Sequence, residues 1–498
     1  MERLETGIPG LDVLAVGGLP RGRTTLLTGT TGSGKTVFAL QFLAAGVNLF
    51  GQPGVLVTLE EPARELIANM GSFGWDLAGL VHSGRIVVVD ATDRGEGAVS
   101  GGFDFGGLSA RIAHAVAEAG AERLVVDPLD GLFFNFGAAS DVRSALRGVV
   151  RDLRPLGVTT VMTAERVADD GPFTRFGAEE FVADNLVVLR NVLEQERRRR
   201  TLEVVKFRGH VHRKGEFPFV IDPITGIEVA PFSMIEGLRD ASPERISLGT
   251  PSLNEMCGGG VYGDSVVLVT GATGTGKTLL GAHFVQAGLE AGERVLFLSF
   301  EESESQIVRN VSSWGFDFAA PAREGSLRVI SRYPERMGLE DLLVEIKREV
   351  DQFAPGRVVI DSMTALAHNA PPRAFREFGV GVCGYLKRRG IAVLLTTTLE
   401  TLLGGESAAD FDSTVADAII LLRYLDLEGQ LRRGILVVKL RGQAHDRAIH
   451  EYEISDDGMR ILAPFRGVRG ILAGRASFVG DGEPTSPAER LTGEPGGA

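Results

Sequence analysis

The chain has 498 residues, which at roughly 150 residues per domain allows two to four domains. With 44% apolar and 23% charged residues it is not a fully disordered chain, a collagen or a disulfide-stapled miniprotein. The 52 basic and 65 acidic residues leave a net charge of −13, which counts against a protein that coats or slides along nucleic acid.

The N-terminal MERLETGIPGLD lacks the apolar run of a signal peptide. No stretch approaches the roughly 20 apolar residues of a membrane span. Two cysteines, Cys257 and Cys383, without a CxxC exclude a zinc ribbon and a disulfide framework. They predict buried, inert thiols in a reducing cytoplasm.

TTLLTG predicts the first buried strand. It runs into GTTGSGKT at 29–36, and VFALQFLAAGV continues as a helix. A GxxxxGK[ST] octet between strand and helix is a phosphate-binding loop. Its glycines turn backbone N–H groups inward, and the helix N-terminus adds its positive dipole. Gly32, Ser33, Gly34, Lys35 and Thr36 are therefore candidate ATP-binding residues, with Lys35 reaching the β/γ-phosphates and the Thr36 hydroxyl on Mg²⁺. The strand GVLVTLE ends in Glu60–Glu61, candidate catalytic carboxylates that polarise an attacking water or hydroxyl or hold Mg²⁺ through its water shell. Within regular β geometry one member of such a pair faces the nucleotide, and a turn at the strand end brings in both. RIVVVD and RLVVDP are further strands, the second ending in Asp127, a candidate metal carboxylate. TTVMTAE and NLVVLRN follow. ERRRR at 196–200 reads as a solvated hairpin turn or a subunit contact before TLEVVKF, and Lys206 and Arg208 stand in the strand-to-loop KxRG.

The whole series then recurs. GATGTGKT at 271–278 repeats GTTGSGKT, and FEE at 300–302 repeats LEE at 59–61. RVVIDSMTAL at 357–366 repeats RLVVDPLDGL, and VVKLRG at 437–442 repeats VVKFRG. The offset of the loop lysines is 277 − 35 = 242, too long for a solenoid repeat, so each copy is a domain. The second copy adds Thr273, Gly274, Thr275, Gly276, Lys277 and Thr278 as ATP-binding candidates. It also supplies Glu301–Glu302 as catalytic carboxylates and Asp361 beside the metal. Ser362 follows Asp361, whereas Pro128 follows Asp127, so one hydroxyl is missing from the first copy. The first copy carries seven more residues between its Glu pair and its Asp (67 against 60), assigned to a loop around GEGAVSGG at 95–102. Cations as far along the chain as Lys206, Arg208, Lys439 and Arg441 suit a reach to a neighbouring subunit's γ-phosphate. Short strands, apolar on both faces and alternating with helices, predict an α/β fold with mainly parallel sheets. The predicted limits are residues 1–230, a linker at 231–246, residues 247–466, and a largely disordered tail at 467–498.

Two phosphate-loop copies with Glu pairs, SFGWDL/SWGFDF and KxRG resemble the KaiC family of RecA-like ATPases and autokinases over about residues 1–466. LNEMCGGG, YPERMGLED and EEFVADNLVVLRNVLEQERRRRTLE carry the same likeness. The resemblance implies two tandem RecA-like P-loop NTPase domains in a double-ring homohexamer, with ATP and Mg²⁺ at each subunit interface. The N-terminal ring would hydrolyse ATP and the C-terminal ring phosphorylate itself at Ser413 and Thr414. It adds Ser72, Phe207, His212 and Lys214 to the first nucleotide site, beside Lys206 and Arg208. To the second it adds Trp314, Arg433, Leu440, His445 and Arg447, beside Lys439 and Arg441. It gives Mg²⁺ to Thr278 and Glu301. The family has a threonine where this chain has Ala409, and a lysine at Arg447. GGFDFGGL at 101–108 resembles the region that docks a KaiB-like partner. The tail after about Phe465 does not resemble the KaiA-binding peptide, so the likeness does not extend to that partner, and it names no output kinase. The competing readings are a RecA-type nucleic-acid motor and a nucleotide-gated scaffold with little hydrolysis.

Overall fold

Each apolar run flanked by turn residues becomes a strand. In a computed structural model of the chain, the described residues are 2–92, 105–133, 139–175, 182–194, 197–229, 242–399, 415–427, 429–466, 468–469 and 477–478. They fall into two units, Met1–Pro231 and Phe232–Ala498.

The first unit holds β1 (Thr24–Gly29), helix α1 (Lys35–Phe50), β2 (Gly54–Thr58), β3 (Ile86–Asp90), β4 (Arg123–Asp127), β5 (Thr159–Glu165), β6 (Asn185–Glu194), β7 (Arg197–Phe207), β8 (Glu216–Asp222) and β9 (Gly226–Val229). They form one sheet in the order β9-β8-β7-β6-β1-β5-β4-β2-β3. The members from β3 to β6 are all parallel, and the three pairs from β6 to β9 are antiparallel. Every residue of β1, β2 and β4 is buried, as strands covered by helices on both faces require.

The second unit holds β10 (Val266–Gly271), α2 (Lys277–Glu290), β11 (Val295–Ser299), β12 (Leu327–Ser331), β13 (Arg357–Asp361), β14 (Ala392–Thr398), β15 (Ala418–Leu427), β16 (Gln430–Leu440), β17 (His450–Ser455) and β18 (Gly458–Pro464). Their order is β12-β11-β13-β14-β10-β15-β16-β17-β18, the first sheet repeated strand for strand. Each unit has its own large apolar core, around Leu26, Val57 and Met162 in the first and Val267, Phe297 and Val359 in the second.

β1 and β10 lie at the centre of the two sheets, so the loops that follow them emerge among the C-terminal ends of the parallel strands. That edge is where open α/β sheets place their ligands.

Two expectations are corrected. Arg197–Arg200 do not form the hairpin turn. They open β7 and pair with Asn191–Glu194, and residues 195–196 lie outside the described set. The Glu pairs do not end their strands: β2 stops at Thr58 and β11 at Ser299, so each pair lies in a bend just past the last ladder bond. The predicted loop at 95–102 and most of the tail lie outside the described residues. Among those described, no helix is long and apolar enough to cross a membrane. Both cysteines are buried, and burial pushes each thiol up to about 12.

Candidate active sites

Each phosphate-loop octet closes over a helix N-terminus left open for an anion. Gly34 and Gly276 stand at the N-caps of α1 and α2 with φ of 99° and 92°, and neither helix has a side-chain cap. The first N–H groups of both helices thus lack the oxygen that normally satisfies them. A β-carbon on Gly34 would lie 2.8 Å from Ile221 Cδ1, and one on Gly276 2.9 Å from Ile454 Cδ1; those side-chain ends could shift, so it is the positive φ that calls for glycine. Ser33 Oγ is buried without a partner inside the first loop.

Lys35 Nζ folds back onto the carbonyls of Gly29 and Thr30 at 2.9 and 3.1 Å. Lys277 does the same to Gly271 and Ala272 at 2.9 and 3.0 Å. Burial pulls both lysines below the ordinary lysine value, while the surrounding carboxylates hold them up. A phosphate oxygen, being anionic, is a stronger acceptor for these ammonium groups than a neutral carbonyl.

Beneath each loop lies the aspartate at the end of β4 or β13. Asp127 accepts hydrogen bonds from Thr163 and Thr36, and Asp361 from Thr396 and, at 2.7 Å, from Thr278 Oγ1. Burial raises both carboxyls above the usual range. One loop hydroxyl beside one carboxylate is a hard-oxygen pair. It fits Mg²⁺, which takes most of its remaining positions from water and phosphate. Among the described residues no cluster of three or more His, Cys, Asp or Glu forms a metal cage.

The bend past each strand gives the two glutamates different surroundings. Glu301 accepts a hydrogen bond from Ser362 Oγ and acts electrostatically on Lys277 and Asp361. Glu60 acts on Lys35. The second member turns toward the following helix: Glu61 accepts from Asn69 Nδ2 at 2.5 Å, and both Glu302 oxygens accept from Asn310 Nδ2 at 3.2 Å. In each pair, then, the first carboxylate faces the loop lysine and the second secures the next helix.

The remaining candidates divide between the two ends of each sheet. Arg433 lies over the Tyr424 ring, and the Tyr424 hydroxyl would stand 2.8 Å from a β-carbon on Gly274, so Arg433 belongs to the loop end. Ser72 is exposed in a turn whose Gly74 N–H donates to Ile224 O at 2.9 Å, and Trp314 is half-buried against the second core.

The KxRG cations lie at the far end. Lys206 Nζ donates to Ala183 O at 2.8 Å and Lys439 Nζ to Ala416 O at 2.7 Å. Arg208 and Arg441 pair with Asp184 and Asp417 at 3.8 and 3.4 Å. Asp184 and Asp417 are bonded through their backbone N–H to Thr24 and Val266, the first residues of β1 and β10. The loops begin at the last residues, Gly29 and Gly271, ~17 Å away at about 3.3 Å per residue. That exceeds the reach of a lysine or arginine side chain.

Strand alternation turns Phe207 into the interior (5% exposed) and packs Leu440 on the second core, leaving only their backbone to offer a ligand. His212 and His445 are half-buried beyond KxRG, whereas Lys214 and Arg447 are exposed. Ser413 and Thr414 lie outside the described residues. Sequence reasoning missed Ser362 as a partner of Glu301 and Glu165 beside Thr31. Their only signal was position at the C-terminal end of a strand.

The sequence matches the family described as "ATPase: KaiC" twice, over residues 4–233 and 246–465. The chain belongs to the KaiC family. It is 48% identical over 496 residues to the circadian clock protein KaiC3 of Synechocystis sp. (strain ATCC 27184 / PCC 6803 / Kazusa), covering 99% of this chain and 97% of that one. It is 45% identical over 495 residues to the circadian clock oscillator protein KaiC of Thermosynechococcus vestitus, covering 99% and 95%. The protein of the same name from Synechococcus elongatus is 46% identical over 474 residues, covering 95% and 91%. The two units are tandem RecA-like KaiC ATPase domains, a family that binds nucleotide.

Proposed function

We propose that this KaiC-family ATPase is a nucleotide-bridged homohexamer of two rings that hydrolyses ATP and phosphorylates itself on Ser413 and Thr414. Residues 1–230 form the hydrolytic ring domain, residues 247–466 the autokinase ring domain, and 231–246 the linker between them. The observation that carries the reading is the separation of the KxRG cations from their own phosphate loops. Cations about 17 Å from the loop of the same unit serve the γ-phosphate of a neighbouring copy, so each site is completed only in a ring.

Within a site, the helix N-terminus and Lys35 or Lys277 hold the phosphates. Thr36 with Asp127, and Thr278 with Asp361 and Glu301, would hold Mg²⁺, whose charge would be available to the phosphate oxygens. Arg433, Trp314 and Ser72 bind at the loop end. Lys206, Arg208, His212 and Lys214, and in the second ring Lys439, Arg441, His445 and Arg447, bind across the interface. Glu60 takes a proton from water in the first ring. Glu301 takes one from the acceptor hydroxyl in the second, oriented by Ser362, a hydroxyl that Pro128 removes from the first copy.

The relatives' names as circadian clock proteins support a timing role. A KaiB-like partner docks beside residues 101–108 in the first ring. The proposal includes neither a KaiA-like partner nor nucleic acid. Two free buried thiols support a reducing cytoplasm.

Incubation with ATP and Mg²⁺ followed by phosphopeptide mapping tests the kinase half, with phosphate expected on Ser413 or Thr414. Hydrolysis without phosphate on either residue of an assembled hexamer would leave an ATPase alone.

A further inference from the structure

The two sites share one fold, yet they differ at the residue that closes the strand beside the phosphate loop. Parallel register sets Glu165, the end of β5, against Gly29, and sets Thr398, the end of β14, against Gly271. Thr31 Oγ1 donates to Glu165 Oε1 in the first site. Thr30, Thr31 and Glu165 line one cleft of about 660 Å³, so the carboxylate faces the open space against the loop. Its backbone N–H donates to Asp130 Oδ2 at 2.7 Å, where Thr398 N–H donates to Thr364 Oγ1 at the same distance. The first site therefore has two carboxylates where the second has two hydroxyls. Glu165 heads the carboxylates acting on Lys35, followed by Asp127, Asp130 and Glu60, whereas among the described residues Asp361 and Glu301 are the carboxylates acting on Lys277.

We infer that Glu165, backed by Asp130, is a specificity-determining residue of the first nucleotide site: its carboxylate competes with an incoming γ-phosphate for Thr31 and Lys35, and so lowers the preference for ATP over ADP there relative to the second site. ADP ends at the β-phosphate and meets less of this repulsion, while a γ-phosphate brings its charge against an anion already in place. The inference rests on the reading of the two loops as nucleotide sites, and its test separates the two.

The test uses the full chain with Lys277→Ala, so that the first loop is read alone, and titrates ADP and a non-hydrolysable ATP analogue with Mg²⁺ against a fluorescent nucleotide. Glu165→Gln keeps an acceptor for Thr31 and removes the charge. Lifting one like-charge contact should tighten the ATP analogue about tenfold, the equivalent of 1.4 kcal/mol, with a much smaller change for ADP. Asp130→Asn should move the ratio the same way by less. In the reverse experiment, on a Lys35→Ala chain, Thr398→Glu should weaken the analogue selectively at the second loop. An unchanged ratio in Glu165→Gln, or an equal loss for both nucleotides, overturns the inference and makes Glu165 a brace for the loop. Failure of the unsubstituted first loop to bind either nucleotide would overturn the site assignment itself.

Discussion

His283 occupies the position in α2 that Gln41 occupies in α1, and the two do the same work with different acid sensitivity. The Gln41 amide both donates to and accepts from Ile227, at 3.0 and 2.6 Å. His283 Nε2 accepts the Met459 N–H at 2.9 Å, and its other nitrogen bonds the Gly249 backbone, so the ring must be neutral. Burial holds it down to about 4 from 6.5. A depressed folded-state value means that the unfolded chain takes up the proton first. The stabilisation is complete above about pH 6.5 and is lost as pH falls toward 4. At pH 5 the loss should be ~2 kcal/mol, read as a fall in the denaturant midpoint that His283→Gln abolishes. An identical acid sensitivity in that variant would assign the effect to other groups.

The glutamate pairs make a second prediction at this scale. Glu301→Gln should cost on the order of 10²–10⁴-fold in transfer at the second site, because an amide cannot take a proton. Glu302→Gln keeps an oxygen for Asn310 and should leave turnover near that of the unsubstituted chain. Single-turnover rates in a Lys35→Ala chain separate the two, and equal losses would contradict the division of roles.

Between elements, the least expected device is an arginine at the start of β4 and of β13. Arg123 is fully buried against α1, its ring neighbours Phe42 and Phe50 lying 4.6 and 5.3 Å from the guanidinium carbon. It donates to the carbonyls of Glu5, Thr6 and Phe42 and to Gln52. Arg357 holds the same place but pairs with Glu293 at 2.8 and 2.9 Å. Gly46 and Gly288 make the room: a β-carbon on Gly46 would stand 2.4 Å from Arg123 Cδ. Burial draws Arg123 down to about 10, so it remains charged at neutral pH. Arg123→Met should therefore cost about 3 kcal/mol by stranding three carbonyls. Arg357→Met should cost less, because the Glu293 side chain it leaves is 27% exposed and can be hydrated. Denaturant unfolding of the two full-length variants checks the order.

For the whole molecule, the proposed ring makes assembly depend on anions and cations that are complete only across copies. Lys439→Ala with Arg441→Ala should shift the ATP-bound chain from hexamer toward monomer, as EDTA should in the unsubstituted protein, because phosphate charge at an interface without its cations is costly. Size exclusion with light scattering reads both, and a monomer with ATP and Mg²⁺ present would contradict the ring.

Much of this was legible in the residues. The repeat announced two copies of one domain. The strands from Thr24 to Glu165 follow their β-branched runs, and the phosphate loops need glycine at fixed places whatever surrounds them. Sequence by itself thus determined the α/β fold, its duplication and the place of the two glycine loops before their helices, because local backbone geometry and apolar periodicity are written residue by residue. Tertiary structure alone decided that Glu60 and Glu301 face the lysines, that the KxRG cations lie beyond reach of their own loops, and that Glu165 stands beside Thr31. Each depends on strand register and on the bend after a strand. Register brings Thr31 and Glu165 together across 134 positions of sequence, and no local pattern records such a meeting.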